Sequence, residues 1–162
     1  YLNKTVTSKD VFFDVGANAG FYSLLAIQKG ATVHAFEPIP STFELLKKNT
    51  KDKSISLHPV AVSSSTGTVR MKKNGSSGLN RIDDNGNTVV QTITLDEFSL
   101  VQTILKVDVE AHELSAFQGA ERLLRNHRPI VVAEISDTRA ADFLCSLGYQ
   151  QTLLGKNNYV FV

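Results

Sequence analysis

Cysteine and tryptophan are scarce in this chain, with one cysteine and no tryptophan in 162 residues. A single thiol excludes an internal disulfide framework and a cysteine-built metal cluster. Cys145 falls on the apolar side of an expected helix, which predicts a buried structural thiol rather than a nucleophile. No apolar run approaches the length of a membrane span, and no signal peptide opens the chain. An excess of one charge is also missing. The net charge is +1 and no basic run stands out, so nothing in the composition points to nucleic acid. Hydrophobic residues make up 42% and charged residues 20%, ordinary values for a globular protein. The length suits one domain over residues 1–162, without internal repeats or a linker. The chain opens on Tyr1 rather than Met, which predicts a segment upstream.

Strands and helices alternate along the sequence. Val11–Val15 is short and wholly apolar apart from Asp14, as in a strand covered on both faces. A helix is predicted from about Gly20 to Lys29, burying Phe21, Leu24, Leu25 and Ile27. Thr32–Phe36 reads as the second strand, and Ile55–Val62 as the third. Between them Pro38 and Pro40 open a helix with Phe43 and Leu46 inward. Residues 63–87 are rich in Ser, Gly and Asn and read as a long loop or lid around a short β run, Thr68–Met71. Arg81 in that loop is a candidate contact for an acidic substrate group, or a solvated surface arginine. A short strand at Val89–Thr94 and a helical turn at Leu95–Phe98 follow. Ile104–Val109 is the fourth core strand, followed by a helix over Glu113–Arg125. Ile130–Ile135 is the fifth, followed by a helix over Thr138–Leu147 and a terminal hairpin turned at 155–158. This order predicts an α/β, doubly wound, mostly parallel sheet with an antiparallel edge.

In such sheets ligands sit beyond the carboxyl ends of the strands, where this sequence gathers its polar and glycine residues. Asp14 closes the first strand beside the loop GANAG, where a carboxylate can receive an ammonium group or can cap a loop. Gly16 and Gly20 clear space for a ligand next to the first free N–H groups of a helix. A dinucleotide site has GxGxxG, whereas here Asn18 puts an amide where a pyrophosphate wants bare backbone. That favours a ligand with a zwitterionic tail, such as S-adenosylmethionine. Glu37 ends the second strand about 20 residues on, the spacing of an acid that takes ribose hydroxyls. Its alternative role is to favour the dipole of the next helix.

Asp108 and Glu110 flank Val109, and on a strand their side chains point the same way. Paired carboxylates at a strand end can hold an ammonium or a substrate hydroxyl, can bind a metal with His112, or can cap the following helix. No other ligand cluster supports a metal. His112 is a candidate general base, since imidazole titrates near neutrality. His34 and His127 read as structural, and His58 lies near the end of its strand.

DVGANAGFYSLLA, AFEPIPSTFELLKKN, HPVAVSSSTG, TLDEF, KVDVEAHELSAFQGAERLL and RPIVVAEI, in that order, resemble the FkbM family of S-adenosylmethionine-dependent methyltransferases. The resemblance covers about Val11 to Tyr149. It implies the class I methyltransferase fold, with seven strands of which the last is antiparallel. It implies that Asp14, Gly16, Asn18 and Gly20 wrap the methionine part of the cofactor, that Glu37 takes the ribose, that Ala61 and Val62 lie along the adenine, and that Ala17, Phe36 and Pro38 also belong to the cofactor site. Asp108 would stand close to the sulfonium, with Asp108, Glu110 and His112 as the group holding the base. Family members typically methylate a hydroxyl on a sugar or natural product, so the implied partner is a hydroxylated small molecule. An intracellular cofactor and the want of a signal peptide predict a cytoplasmic location. The chain departs from the family where glycine commonly follows the acid of the DVEG block. Ala111 stands there, which predicts a slightly altered turn. Two alternatives stand beside this reading: a nicotinamide-dependent oxidoreductase, and a methyltransferase-like domain that binds without catalysis.

Overall fold

The computed structural model describes residues 1–72, 81–83, 85–98, 101 and 103–162. After a short helix, α1 (Leu2–Thr5), the chain runs β1 (Val11–Val15), α2 (Phe21–Gln28), β2 (Thr32–Phe36), α3 (Pro40–Asn49) and β3 (Ser56–His58). Four strands of a second sheet follow: β4 (Ala61–Val62), β5 (Gly67–Lys72), β6 (Arg81–Ile82) and β7 (Thr88–Ile93). The chain then passes a 3-10 turn (Leu95–Glu97) and returns to the main sheet through β8 (Ile104–Val107), α4 (Glu113–Gln118), α5 (Glu121–His127), β9 (Ile130–Glu134), α6 (Thr138–Ser146), β10 (Gln151–Gly155) and β11 (Asn158–Phe161).

The main sheet has seven strands in the order β10-β11-β9-β8-β1-β2-β3. The β3, β2, β1, β8 and β9 neighbours pair in parallel, and β11 and β10 pair antiparallel at the edge, as the sequence predicts. The chain steps outward from β1 to β3, then crosses back to β8 on the other side of β1. The switch point therefore lies between β1 and β8, and a crevice opens beyond their carboxyl ends. Core strands are buried on both faces: Phe12, Phe13 and Val15 of β1 and Ile104, Leu105 and Val107 of β8 are all at most 1% exposed.

Several expectations need correction. The stretch Ile55–Val62 is not one strand. It pairs with β2 only over Ser56–His58, then leaves the main sheet, and Ala61–Val62 pairs with β7. The expected loop over 63–87 contains β5 and β6, paired with β7 and with each other; residues 73–80 and 84 of it, and the Arg81 side chain, lie outside the described residues. In α2 the buried residues are Ser23 and Ala26, while Leu24, Leu25 and Ile27 are half-buried and Phe21 is 73% exposed. The cause is the hydroxyl of Ser23, which donates to buried Asp14 Oδ2 at 2.6 Å and turns the small face of the helix to the sheet. Phe21, two residues earlier, is thereby rotated away. Cys145 is exposed. The inward stripe of α6 runs through Ala140, Ala141 and Leu144, and the next residue lies about 100° further round the helix. The expected helix over 113–125 is two helices, broken at Gly119 and Ala120. Asp96 of the LDEF motif starts the second one, accepting from the N–H groups of Arg122 at 3.0 Å and Leu123 at 2.8 Å.

Candidate functional site

A cleft enclosing about 840 Å³, counting its open mouth, lies at the switch point. Its floor is made by Val15, Gly16 and Asn18 after β1 and by Asp108 and Val109 after β8; Phe36, Glu37 and Pro38 after β2 form one side. The second sheet supplies an apolar wall from Ala61, Val62, Met71 and Ile82. Glu110, His112 and Glu134 stand at the remaining side. Of the residues singled out in the sequence, Gly16, Asn18, Phe36, Glu37, Pro38, Ala61, Val62, Asp108, Glu110 and His112 all border this one space. Asp14, Ala17 and Gly20 stand in the layer behind it. Asp14 is fully buried, Ala17 packs with Ala35 and Leu46, and Gly20 abuts Leu46.

The loop after β1 is fixed by backbone bonds. The N–H groups of Gly16 and Ala17 both donate to the Phe36 carbonyl at 3.0 Å, and Asn49 of α3 donates to the Ala19 carbonyl at 2.8 Å. Gly16 has φ +77°, and a Cβ there would sit 1.9 Å from the Asp108 carbonyl oxygen. Only glycine lets the two strand ends approach this closely.

Glu37 is 6% exposed. Its Oε2 accepts from the Asn18 N–H at 3.0 Å and its Oε1 from the Ile39 N–H at 2.9 Å. Burial pushes its carboxyl above the usual range, against the pull of those two N–H groups. Glu37 thus joins the β1 loop to the start of α3 and still faces the cleft, where further donors would relieve its desolvation.

Asp108 and Glu110 do not ride on a strand, since β8 ends at Val107. Beyond it the chain turns sharply, with Glu110 at φ +49° and Ala111 at φ +67°. Alanine takes up the left-handed conformation that glycine would adopt freely, and buried Glu113 holds it there by accepting from the Ala111 N–H at 3.0 Å. The other Glu113 oxygen accepts from Ser136 at 2.6 Å. We expect Ala111→Gly to stabilise the fold by about 0.5–1 kcal/mol, the relief of left-handed strain less the added chain entropy. Denaturant unfolding checks this, and a loss of stability would show that the turn is unstrained.

Glu110 is pushed above the usual glutamate range, first by burial and then by Asp108, Glu134 and Glu113. His112 approaches buried Ser63, with Nε2 3.0 Å from the hydroxyl, and burial lowers its pKa against the smaller effect of Glu113. His34 and His58 lie away from the cleft floor as a stacked pair, Nδ1 to Nε2 3.1 Å, among Phe13, Phe36 and Phe98. Among the described residues no group of three or more His, Cys, Asp or Glu is placed to hold a metal, and no helix is long and apolar enough to cross a membrane.

One residue that sequence reasoning missed lies under this floor. Lys106 is buried, with Nζ 3.3 Å from Asp14 Oδ1 and 3.5 Å from Asp108 Oδ2, and it donates to the Gly16 carbonyl at 3.1 Å. Only the register reveals it: in the parallel β1–β8 pair Asp14 stands opposite Lys106.

The family model for the methyltransferase FkbM domain matches residues 14–151. The chain belongs to the FkbM methyltransferase family. It is 32% identical to the hexuronic acid methyltransferase AglP of Haloferax volcanii, a match covering 76% of this chain and 55% of AglP. Over 66 residues it is 44% identical to the 31-O-demethyl-FK506 methyltransferase FkbM of Streptomyces tacrolimicus, covering 38% of this chain and 25% of that one. A solved FkbM methyltransferase from Methylobacillus flagellatus has the same fold, with a TM-score of 0.78 and 20% identity over 96% of this chain and 44% of that one. The chain thus spans about half or less of the length of these relatives. The main sheet is the class I methyltransferase fold, as the motifs imply.

Proposed function

We propose that this FkbM domain binds S-adenosylmethionine in the cleft between β1 and β8 and methylates a hydroxyl of a sugar or natural product. The observation that carries the reading is Glu37: a buried carboxylate at the end of β2, steadied by two backbone N–H groups and bordering a cleft with an apolar wall. The residues fit the cofactor. Asp14 Oδ1 is fully buried and outside hydrogen-bond geometry, ion-paired with Lys106 at 3.3 Å, which sets a paired carboxylate beneath the methionine end. Glu37 takes the ribose hydroxyls, and Ala61 and Val62 flank the adenine. When bound, the cofactor supplies an electrophilic methyl group. The chain's own part is to align the acceptor, exclude water and receive the hydroxyl proton.

A carboxylate of the 108–110 turn is the base in this reading. His112 is less suited, because its Nε2 is engaged by Ser63. Asp108, Glu110 and Glu134 make this side acidic, and the one cation described beside it, Lys106, is buried beneath Asp108. An uncharged hydroxyl acceptor fits it better than a carboxylate. These residues fit an enzyme better than a binding module.

Calorimetric titration with S-adenosylhomocysteine, with NAD in parallel, tests the cofactor. Micromolar binding of the first alone is expected, and binding of neither would sink the reading. Glu37→Ala should weaken S-adenosylhomocysteine by about 1–3 kcal/mol, the scale of hydrogen bonds to a charged group. Unchanged affinity would remove Glu37 from the ribose.

A further inference from the structure

We propose that Lys106 is the positioning residue of the cleft floor: a buried counter-ion that clamps Asp14, Asp108 and the Gly16 carbonyl together and so presets recognition of the cofactor's amino-acid tail.

The geometry is a three-way clamp. Lys106 projects from β8 with its side chain 7% exposed, and its ammonium lies within 3.5 Å of oxygens from three segments, donating to one of them, the Gly16 carbonyl. These are Asp14 of β1, the Gly16 carbonyl of the loop and Asp108 of the turn. The ring of Tyr22, from α2, lies over the ammonium at 5.1 Å. Asp14 and Asp108 are thereby held within reach of one cation. A residue that only filled space would be apolar here, because burying an ammonium is costly unless it is paired. Burial opposes the lysine charge, yet Asp14 and Asp108 hold it above the ordinary lysine range. The charge is built in, and it leaves the cluster with one negative charge in excess. The other charged groups facing this cluster are Glu37, which feels both Lys106 and Asp14, and Glu110, which feels Asp108. All are acidic, so no other described cation can replace Lys106 there.

Without Lys106 the buried Asp14 would face the half-buried Asp108 uncompensated, and the pair would take up a proton in the folded state. A carboxylate that binds its proton more tightly folded than unfolded adds stability at low pH and loses it as pH rises through the folded value. Lys106→Met keeps much of the volume and removes the charge. Its thermal midpoint, taken relative to the wild type at each pH, should therefore fall as pH rises. The difference cancels the pH dependence that the buried histidines give both proteins. Adding Asp14→Asn should bring the profile back parallel to that of the wild type, and that double variant also guards against a single variant that does not fold.

The ligand arm rests on the cofactor reading above. S-adenosylhomocysteine carries the amino-acid tail, and 5′-methylthioadenosine lacks it. Lys106→Met should weaken the first by at least about tenfold and leave the second within about twofold, while Lys106→Arg restores part of the difference. A Lys106→Met protein whose pH profile parallels that of the wild type would overturn the counter-ion role, and so would an equal loss of both ligands. A wild type that binds neither ligand overturns the cofactor reading and this recognition role with it. The ligand-free pH profile still decides the counter-ion separately.

Discussion

Gly16→Ala should cost about 2–5 kcal/mol of stability and abolish binding in the cleft, the largest effect expected of any single methyl group here. Two terms add. At φ +77° an alanine is left-handed, a strain of about 1–2 kcal/mol. Its Cβ would also lie 1.9 Å from the oxygen and 2.8 Å from the carbon of the Asp108 carbonyl. Both are backbone atoms, so relief requires β1 and β8 to part at their carboxyl ends, where the cleft begins. Gly20→Ala is the control. It too has a positive φ, +92°, but its Cβ would meet the end of the Leu46 side chain, which can shift. Thermal unfolding together with S-adenosylhomocysteine titration separates the two variants. If Gly16→Ala binds as well as Gly20→Ala, the close approach of the strand ends is not what shapes the site.

The same contact explains how much of the site was legible in the sequence. Glycine at 16, an acid at 37 and carboxylates at 108 and 110 each mark a strand end, and strand ends in a parallel sheet converge on one edge. What could be read from strand order was therefore read: the sheet, its antiparallel edge, and ten residues around one cleft. What depended on a side chain's direction was not. Phe21 reads as core by hydrophobicity, but the Ser23–Asp14 bond turns it outward. Cys145 reads as lying on the apolar face of its helix, yet it falls about 100° round from Leu144 and is exposed. Ala61 and Val62 were expected in the third strand of the main sheet. They reach the cleft because the chain leaves that sheet after His58, a break that local propensity does not signal. Lys106 was passed over because an interior lysine becomes intelligible only once the register sets it beside Asp14.

Asp108→Asn should lower turnover by about 10²–10⁴-fold if Asp108 takes the acceptor's proton. The stability cost should be about 1 kcal/mol or less. The asymmetry follows from its surroundings. The Asp108 side chain is 38% exposed, so its pairing with Lys106 is partly screened, and asparagine keeps an oxygen for that ammonium while losing the basicity. Asp14 continues to compensate Lys106, so no buried charge is stranded. Rates on a panel of hydroxylated acceptors, set beside denaturant midpoints, give both numbers. Wild-type rates would move the base to Glu110, and pH then decides between the two. Glu110 must lose its proton to act, and burial with Asp108, Glu134 and Glu113 holds that proton beyond the usual glutamate range. With Glu110 as base, the rate should climb with pH along a limb displaced above ordinary glutamate titration. Glu110→Gln should erase that limb, whereas Asp108→Asn should shift it down by removing one of the charges that raises it.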